Sequence, residues 1–244
     1  MSQRSETGMS LSGKRVVVIG GATGIGFAIA KLASAQGATV VVGSRSPAKV
    51  DEAVTKLSQA RGHVVDLEDE ASVEGFFRSV GAFDHLAVTA GNWDIPMFGS
   101  IHDLDLVQAP KLLSVRFWGL LTAAKVGCRT IASDGSITFT SGVLAHRPPR
   151  GAVMATALGG AVESLTRGLA MDLAPVRVNA VCPGLILTEV VNQRPQASLQ
   201  AMVAHLPLPR VGTPHEVALA YVYLMLNGYA TGQVLPVEGG GLLV

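Results

Sequence analysis

The chain has 244 residues, enough for one large or two small domains, and its 48% hydrophobic against 15% charged residues provide material for a sizeable core. A formal charge of +1, with no long basic or acidic run, argues against nucleic acid or a charged membrane surface as the main partner. No apolar run approaches the roughly 20 residues that span a bilayer, and the opening MSQRSETGMS lacks a signal-peptide core.

Those first residues predict a flexible tail over 1–12 on a soluble, cytoplasmic protein. The two cysteines, Cys128 and Cys182, form no metal-spacing motif and read as free thiols of a reducing compartment. From there, short β-branched runs alternate with longer helical patterns. RVVVIG (15–20) is a continuous apolar run ending in glycine, as expected of a strand buried on both faces. In the following GATGIGFAIAKLASAQG, Ile25, Ile29 and Leu32 recur at helical spacing and Gly37 supplies a stop. TVVVGS (39–44) predicts a second strand, and SPAKVDEAVTKLSQA a helix with Pro47 near its start. GHVVDL (62–67) predicts a third strand, DEASVEGFFRSVG a third helix and HLAVTAG (85–91) a fourth strand. A long helix is expected from about Leu104 to Ala132, then a strand SITFTS (136–141), a helix from Val153 to Leu173 and a strand VRVNAVCPG (176–184). The helix HEVALAYVYLMLNG and the strand QVLPVEGG (233–240) close the chain. With short connections, no linker and no repeat, this pattern predicts an α/β fold. Residues 13–244 are expected to form one domain, a doubly wound parallel sheet of about seven strands with helices on both faces.

The first strand runs into Gly20-Gly21-Ala22-Thr23-Gly24-Ile25-Gly26, and a helix follows. Glycines there allow a tight turn and close approach to a pyrophosphate, and the helix N-terminus adds free N–H groups and positive dipole. This is the Rossmann-type arrangement, with Gly20, Thr23, Gly24, Ile25 and Gly26 as candidate phosphate-binding positions. The end of the second strand chooses the cofactor. An acidic residue there would bond both ribose hydroxyls, whereas Ser44 and Arg45 suit a 2′-phosphate and predict NADP(H). Asp66 and Leu67 are placed to flank the adenine, and Ala90 and Gly91 leave room for a ribose.

On these residues the chain resembles the short-chain dehydrogenase/reductases, from about Lys14 to Val244. The family's Thr-Gly-x-x-x-Gly-x-Gly run reads Ile19-Gly20 through Gly26, with Ile for Thr, and its Asn-Asn-Ala-Gly reads Val88-Thr89-Ala90-Gly91. Asn179-Ala180-Val181-Cys182-Pro183-Gly184 matches Asn-Ala-x-x-Pro-Gly, and Thr231-Gly232-Gln233 through Glu238-Gly239-Gly240 resembles the C-terminal signature. The resemblance implies that Thr140, Pro183 and Gly184 border the cofactor. It also implies that Ile186 and Thr188 reach the nicotinamide carboxamide and a nearby phosphate. It further implies a homodimer or homotetramer, built through the fourth and fifth helices and the last strand, with the apolar ending GGGLLV buried in the contact.

The catalytic centre departs from the family's Asn, Ser, Tyr and Lys. Val115-Arg116-Phe117-Trp118-Gly119 puts Arg116 at the Asn position. Ala155 and Gly159, or Thr156 and Gly160 in the shifted register, stand where Tyr and Lys belong. The Ser spacing points to Gly142, with Ser141 adjacent. The tyrosines are Tyr221, Tyr223 and Tyr229 and the last lysine is Lys125, so no register restores the pair. Hydride transfer to a pre-activated acceptor needs no such shuttle. Arg116 can stabilise a developing oxyanion but is a poor proton donor. His146, in the loop LAHRPPRG, has the nearest side chain suited to proton transfer. The candidate catalytic residues are therefore Arg116, Ser141 and His146. His63, His85, His102, His205 and His215 show no ligand spacing, so no catalytic metal is expected.

The leading expectation is an NADP(H)-dependent oxidoreductase that reduces a small organic substrate such as an imine, an iminium or an activated carbonyl. The alternatives are an NADP-binding enzyme of a non-redox cyclisation or isomerisation, and a non-catalytic NADP(H) sensor or structural subunit. The stretch Gly151–Gly168 is expected to be a packing helix, with Ala157, Gly160, Ala161 and Ser164 on a small-residue face.

Overall fold

The computed structural model describes residues 10–91 and 97–244. Seven strands form one all-parallel sheet in the order β3-β2-β1-β4-β5-β6-β7. They are β1 (Arg15–Ile19), β2 (Thr39–Ser44), β3 (Ala60–Val64), β4 (Phe83–Val88), β5 (Ile131–Thr140), β6 (Arg177–Pro183) and β7 (Val234–Val237). The helices are α1 (Gly24–Ala35), α2 (Pro47–Thr55), α3 (Glu70–Val80), α4 (Lys111–Leu113), α5 (Leu120–Gly127), α6 (Val153–Asp172), α7 (Gln196–Val203) and α8 (Pro214–Leu226).

Alternation along β1 divides the core. Val17 and Ile19 face a cluster built with α3, α5 and α6, while Val16 and Val18 face one built with α1 and α8. All four are fully buried or nearly so, which is why the run reads as continuously apolar. Arg177 of β6 is buried and donates to the carbonyls of Leu224 (2.6 Å) and Met225 (2.8 Å), closing the C-terminal end of α8.

Several boundaries differ from expectation. Leu11 is fully buried and Ser10 Oγ donates to the Gln36 carbonyl, so residues 10–12 are docked rather than part of a flexible tail; the rest of that expectation, 1–9, lies outside the described residues. The third, fourth and last strands end earlier, at Val64, Val88 and Val237. The last strand stops because Gly239 and Gly240 take positive φ (72° and 89°). The fifth begins earlier, at Ile131. The long helix expected from Leu104 to Ala132 is shorter and interrupted: α4 leads into a π-helical turn (Ser114–Gly119) and then α5. Its front end is lost to a turn in which Asp105 Oδ1 accepts from the amides of Val107 and Gln108. The segment after β6 that sequence left without structure contains a short 3₁₀ turn (Val191–Gln193) and α7.

Candidate active site

At the C-terminal end of β1 the chain turns with Gly20 at φ +85°, and the Gly20 amide donates to the Gly43 carbonyl at 2.8 Å. A Cβ on Gly26 would lie 2.1 Å from the Gly20 carbonyl oxygen, so only glycine lets the first turn of α1 close on the strand end. Thr89 Oγ1 donates to that same carbonyl at 3.3 Å and ties the loop to β4. Thr23 stands at the N-cap of α1 but makes no side-chain cap bond. The first turn of α1 presents N–H groups that have no partner within the helix. Within it, the Gly24 amide donates to Glu189 Oε1 at 3.3 Å, and Thr188 Cγ2 lies beside Gly24. The glycine loop and the segment after Pro183-Gly184 thus meet although about 160 residues separate them in sequence.

Ser44 ends β2 and Arg45 is exposed just beyond it, with its guanidinium clear of the core. Asp66 Oδ1 accepts from the Glu68 amide at 3.0 Å, and Leu67 packs so tightly that a Cβ on Gly119 would lie 2.7 Å from its own. Ala90 and Gly91 follow β4. Ile186 is buried and forms a parallel bridge with Gly212. Thr140 Oγ1 donates to the Val88 carbonyl at 3.0 Å and pairs with Tyr221 Oη, so its hydroxyl is engaged in holding β4, β5 and α8 together. Burial raises the Tyr221 phenol out of the range where it ionises.

Arg116 lies on the π-helical turn, a geometry found mostly as single turns and often at functional sites. Its Nε and Nη2 atoms are buried, and a Cβ on Gly91 would lie 2.6 Å from Nη2. The guanidinium is therefore laid flat on the Gly91 backbone at the exit of β4. Desolvation lowers its pKa from the ordinary arginine value, the direction expected when burial disfavours a charge.

On α6, Ala155, Gly159 and Glu163 follow at four-residue intervals on the buried side. The short turn Val143–Ala145 sits against this face, and a Cβ on Gly159 would lie 2.9 Å from Ala145 Cβ. Thr156 Oγ1 is buried with no hydrogen-bond partner among the described residues. The candidates Ser141 and His146 converge, on a residue that sequence reasoning missed. Ser141 Oγ donates to Glu163 Oε1 at 2.9 Å, and His146 Nε2 lies 2.9 Å from the same oxygen. Glu163 is only 4% exposed. Cys182, fully buried at the end of β6, joins them; its thiol bonds Ser141, and burial pushes it up to about 11. The one signal for Glu163 was a charged residue at i+4 from Gly159 on an otherwise apolar helix face. A cavity of about 250 Å³ lies in front of this helix start, between Met97, Leu104 and Leu112 on one side and Val153 and Met154 on the other.

The family described as Enoyl-(Acyl carrier protein) reductase matches residues 20–241. The short-chain dehydrogenase/reductase ATR9 of Stachybotrys chlorohalonatus is 34% identical over 96% of this chain and 99% of its own. The chain belongs to the short-chain dehydrogenase/reductase family. Its relative malC of Malbranchea aurantiaca is 32% identical over 96% of both chains. The solved structure of MalC, described as a reductase/Diels-Alderase, superposes with TM-score 0.87 at 29% identity, over 96% of this chain and 98% of that one. A small-chain dehydrogenase solved in complex with NADPH is 35% identical with TM-score 0.79, over 95% of this chain and 99% of that one. Among the described residues, no helix is long and apolar enough to cross a membrane.

Proposed function

We propose that this short-chain dehydrogenase/reductase is an NADP(H)-dependent reductase with a non-standard centre. Its acceptor is a small, largely apolar molecule carrying an activated carbonyl or an imine or iminium group. The observation that carries the reading is the Arg116 guanidinium, desolvated against Gly91 beside the cofactor cradle, in a chain with neither tyrosine nor lysine on the facing side of α6. The residues present fit the cofactor: the Gly20 and Gly26 positions exclude any side chain, the N-cap Thr23 is uncapped, and Arg45 stands free at the end of β2. When bound, the nicotinamide supplies hydride.

The chain's own part is positioning and charge. Gly20, Thr23, Gly24, Ile25, Gly26 and Thr188 hold the phosphates. Ser44 and Arg45 select the 2′-phosphate. Asp66, Leu67, Ala90 and Gly91 flank the adenosine, and Thr140, Pro183, Gly184 and Ile186 back the nicotinamide. Arg116 stabilises negative charge growing on a carbonyl oxygen, in a site dry enough for the interaction to count. For an iminium, which takes hydride without a proton, the buried Glu163 carboxylate with Ser141 and His146 offers the opposite charge. The apolar cavity at Met97, Leu112 and Met154 accommodates the substrate's hydrocarbon part.

The test is NADPH consumption against a panel of ketones, enones, quinones and cyclic imines. Turnover is expected with enones or imines and falls about 100-fold or more in Arg116→Met for a carbonyl acceptor. Tight NADPH binding with no turnover of any acceptor sinks the reading. Arg45→Asp should lower NADPH affinity by ten-fold or more, about 1.4 kcal/mol, while tightening NADH binding through the ribose hydroxyls, as read by fluorescence titration.

One observation favours a second reading, a non-redox ring closure: the similar MalC carries a double description as reductase and Diels-Alderase. Product formed as readily with NADP⁺ as with NADPH distinguishes it from the first.

A further inference from the structure

We propose that His146 Nε2, a Glu163 carboxylate oxygen and Cys182 Sγ form a binding site for one zinc-class divalent cation. Such an ion fastens the segment carrying His146 to the middle of α6 and the end of β6. The three ligand atoms all lie within 4.8 Å of one another, with Nε2 and Oε1 already 2.9 Å apart. Bonds of roughly 2.0–2.3 Å to a tetrahedral zinc place ligand atoms about 3.3–3.8 Å from each other. The Nε2–Oε1 pair is closer than that range, and no separation exceeds 4.8 Å. The adjustment required is at most about an ångström, and it falls on the exposed partner: the His146 side chain is 42% exposed and sits in a turn, whereas Glu163 and Cys182 are held by a helix and a strand. The exposed imidazole also gives the ion a way in. Ser141 Oγ donates to Glu163 Oε1 at 2.9 Å beside the three ligands.

The donor set decides the metal class. One thiolate, one imidazole and one carboxylate suit zinc or cobalt and exclude magnesium and calcium, which take oxygen ligands. Charge balances as well, because a carboxylate and a thiolate neutralise a dication whose two anionic ligands are buried. On binding, the Cys182 S–H bond is exchanged for a sulfur–metal bond and its proton leaves to solvent. His146 coordinates through the Nε2 lone pair, and no electrons are transferred. Sequence spacing conceals the site, since the ligands stand 17 and 19 residues apart and come from a loop, a helix and a strand.

This inference draws on Glu163 and His146, which the reductase reading offers to an iminium, and a bound cation would cancel that charge; its test therefore reads binding rather than turnover. Full-length protein, stripped with a chelator and kept reduced, is titrated with Co²⁺. The expected result is one equivalent bound, with a thiolate-to-cobalt charge-transfer band and the visible bands of a tetrahedral ion, both displaced by Zn²⁺. Zinc in excess raises the melting temperature. Cys182→Ser loses the charge-transfer band and binds zinc at least about tenfold more weakly. His146→Ala, an exposed and therefore mild change, weakens zinc to a similar degree. Cys128→Ser alters neither readout. Absence of saturable uptake, uptake without a thiolate band, or a band that survives in Cys182→Ser overturns the site. NADPH consumption by the stripped protein tests the reductase reading separately.

Discussion

Arg116 and Gly91 are two halves of one arrangement. The guanidinium occupies the volume that any side chain at residue 91 would need, so Gly91→Ala must displace either the arginine or the backbone beneath it. The expected outcome is loss of carbonyl reduction comparable to Arg116→Met, with only a modest stability cost of about 1–3 kcal/mol for overpacking. Steady-state kinetics alongside urea denaturation check both parts. Arginine at this position was legible in the sequence, because the motif Val115 to Gly119 fixed its register. Its lie against Gly91 was not, since no linear pattern reports a contact between a loop after β4 and a π-helical turn. Glu163 was missed for a related reason. A lone carboxylate in a helix reads as a solvated residue until the fold shows it nearly fully buried, with Ser141 and His146 on one oxygen.

At the scale of the element, α6 and the turn Val143–Ala145 have been fitted to each other. Gly159 lets Ala145 approach to a distance that leaves no room for a Cβ, let alone a lysine side chain. Restoring the family pair with Ala155→Tyr and Gly159→Lys is therefore expected to fail as a repair. Overpacking of about 1–3 kcal/mol lowers the melting temperature by roughly 2–10 °C, and ordinary ketones remain unreduced. Thermal unfolding and a ketone assay of the double variant provide the check. The helix itself was readable from its spacing, as Val153–Asp172 matches the expected bounds closely. The expected small-residue face is exposed or half-exposed in the single chain at Ala157, Gly160, Ala161 and Ser164. The long fourth helix was overread because apolar residues continue past both of its ends. A turn built on Asp105 takes the front, and Ile131 is drawn into β5 by pairing with Phe83. Tertiary pairing outweighs local periodicity there.

For the molecule as a whole, α/β alternation was enough to predict a single parallel sheet, because a continuously apolar strand followed by an amphipathic helix packs in few ways. What it did not reveal is how the sheet interior handles its polar groups. His85 of β4 is 5% exposed, and its Nδ1 pairs with Ser136 Oγ of β5 at 2.9 Å. Burial lowers its pKa to about 4, Asp84 and Asp134 opposing that shift and Arg177 and Lys14 adding to it. The native state thus keeps His85 neutral where the unfolded chain takes up a proton. Stability is expected to fall as pH drops from about 6.5 toward 4 and to lose no more on this account below that, a total of about 3 kcal/mol. Urea midpoints at pH 7 and pH 4.5 measure it, and the acid loss should shrink in His85→Gln; an unchanged loss would reject the assignment. The strand order also has a history in synthesis. β4 pairs with β1, and each later strand is laid on the edge left by the one before, β5 on β4, β6 on β5 and β7 on β6. A chain growing from the ribosome can therefore crystallise outward in the order it is made. From β4 onward its unfinished border is the newest strand, and that border is where a nascent chain would first meet a chaperone or another copy of itself.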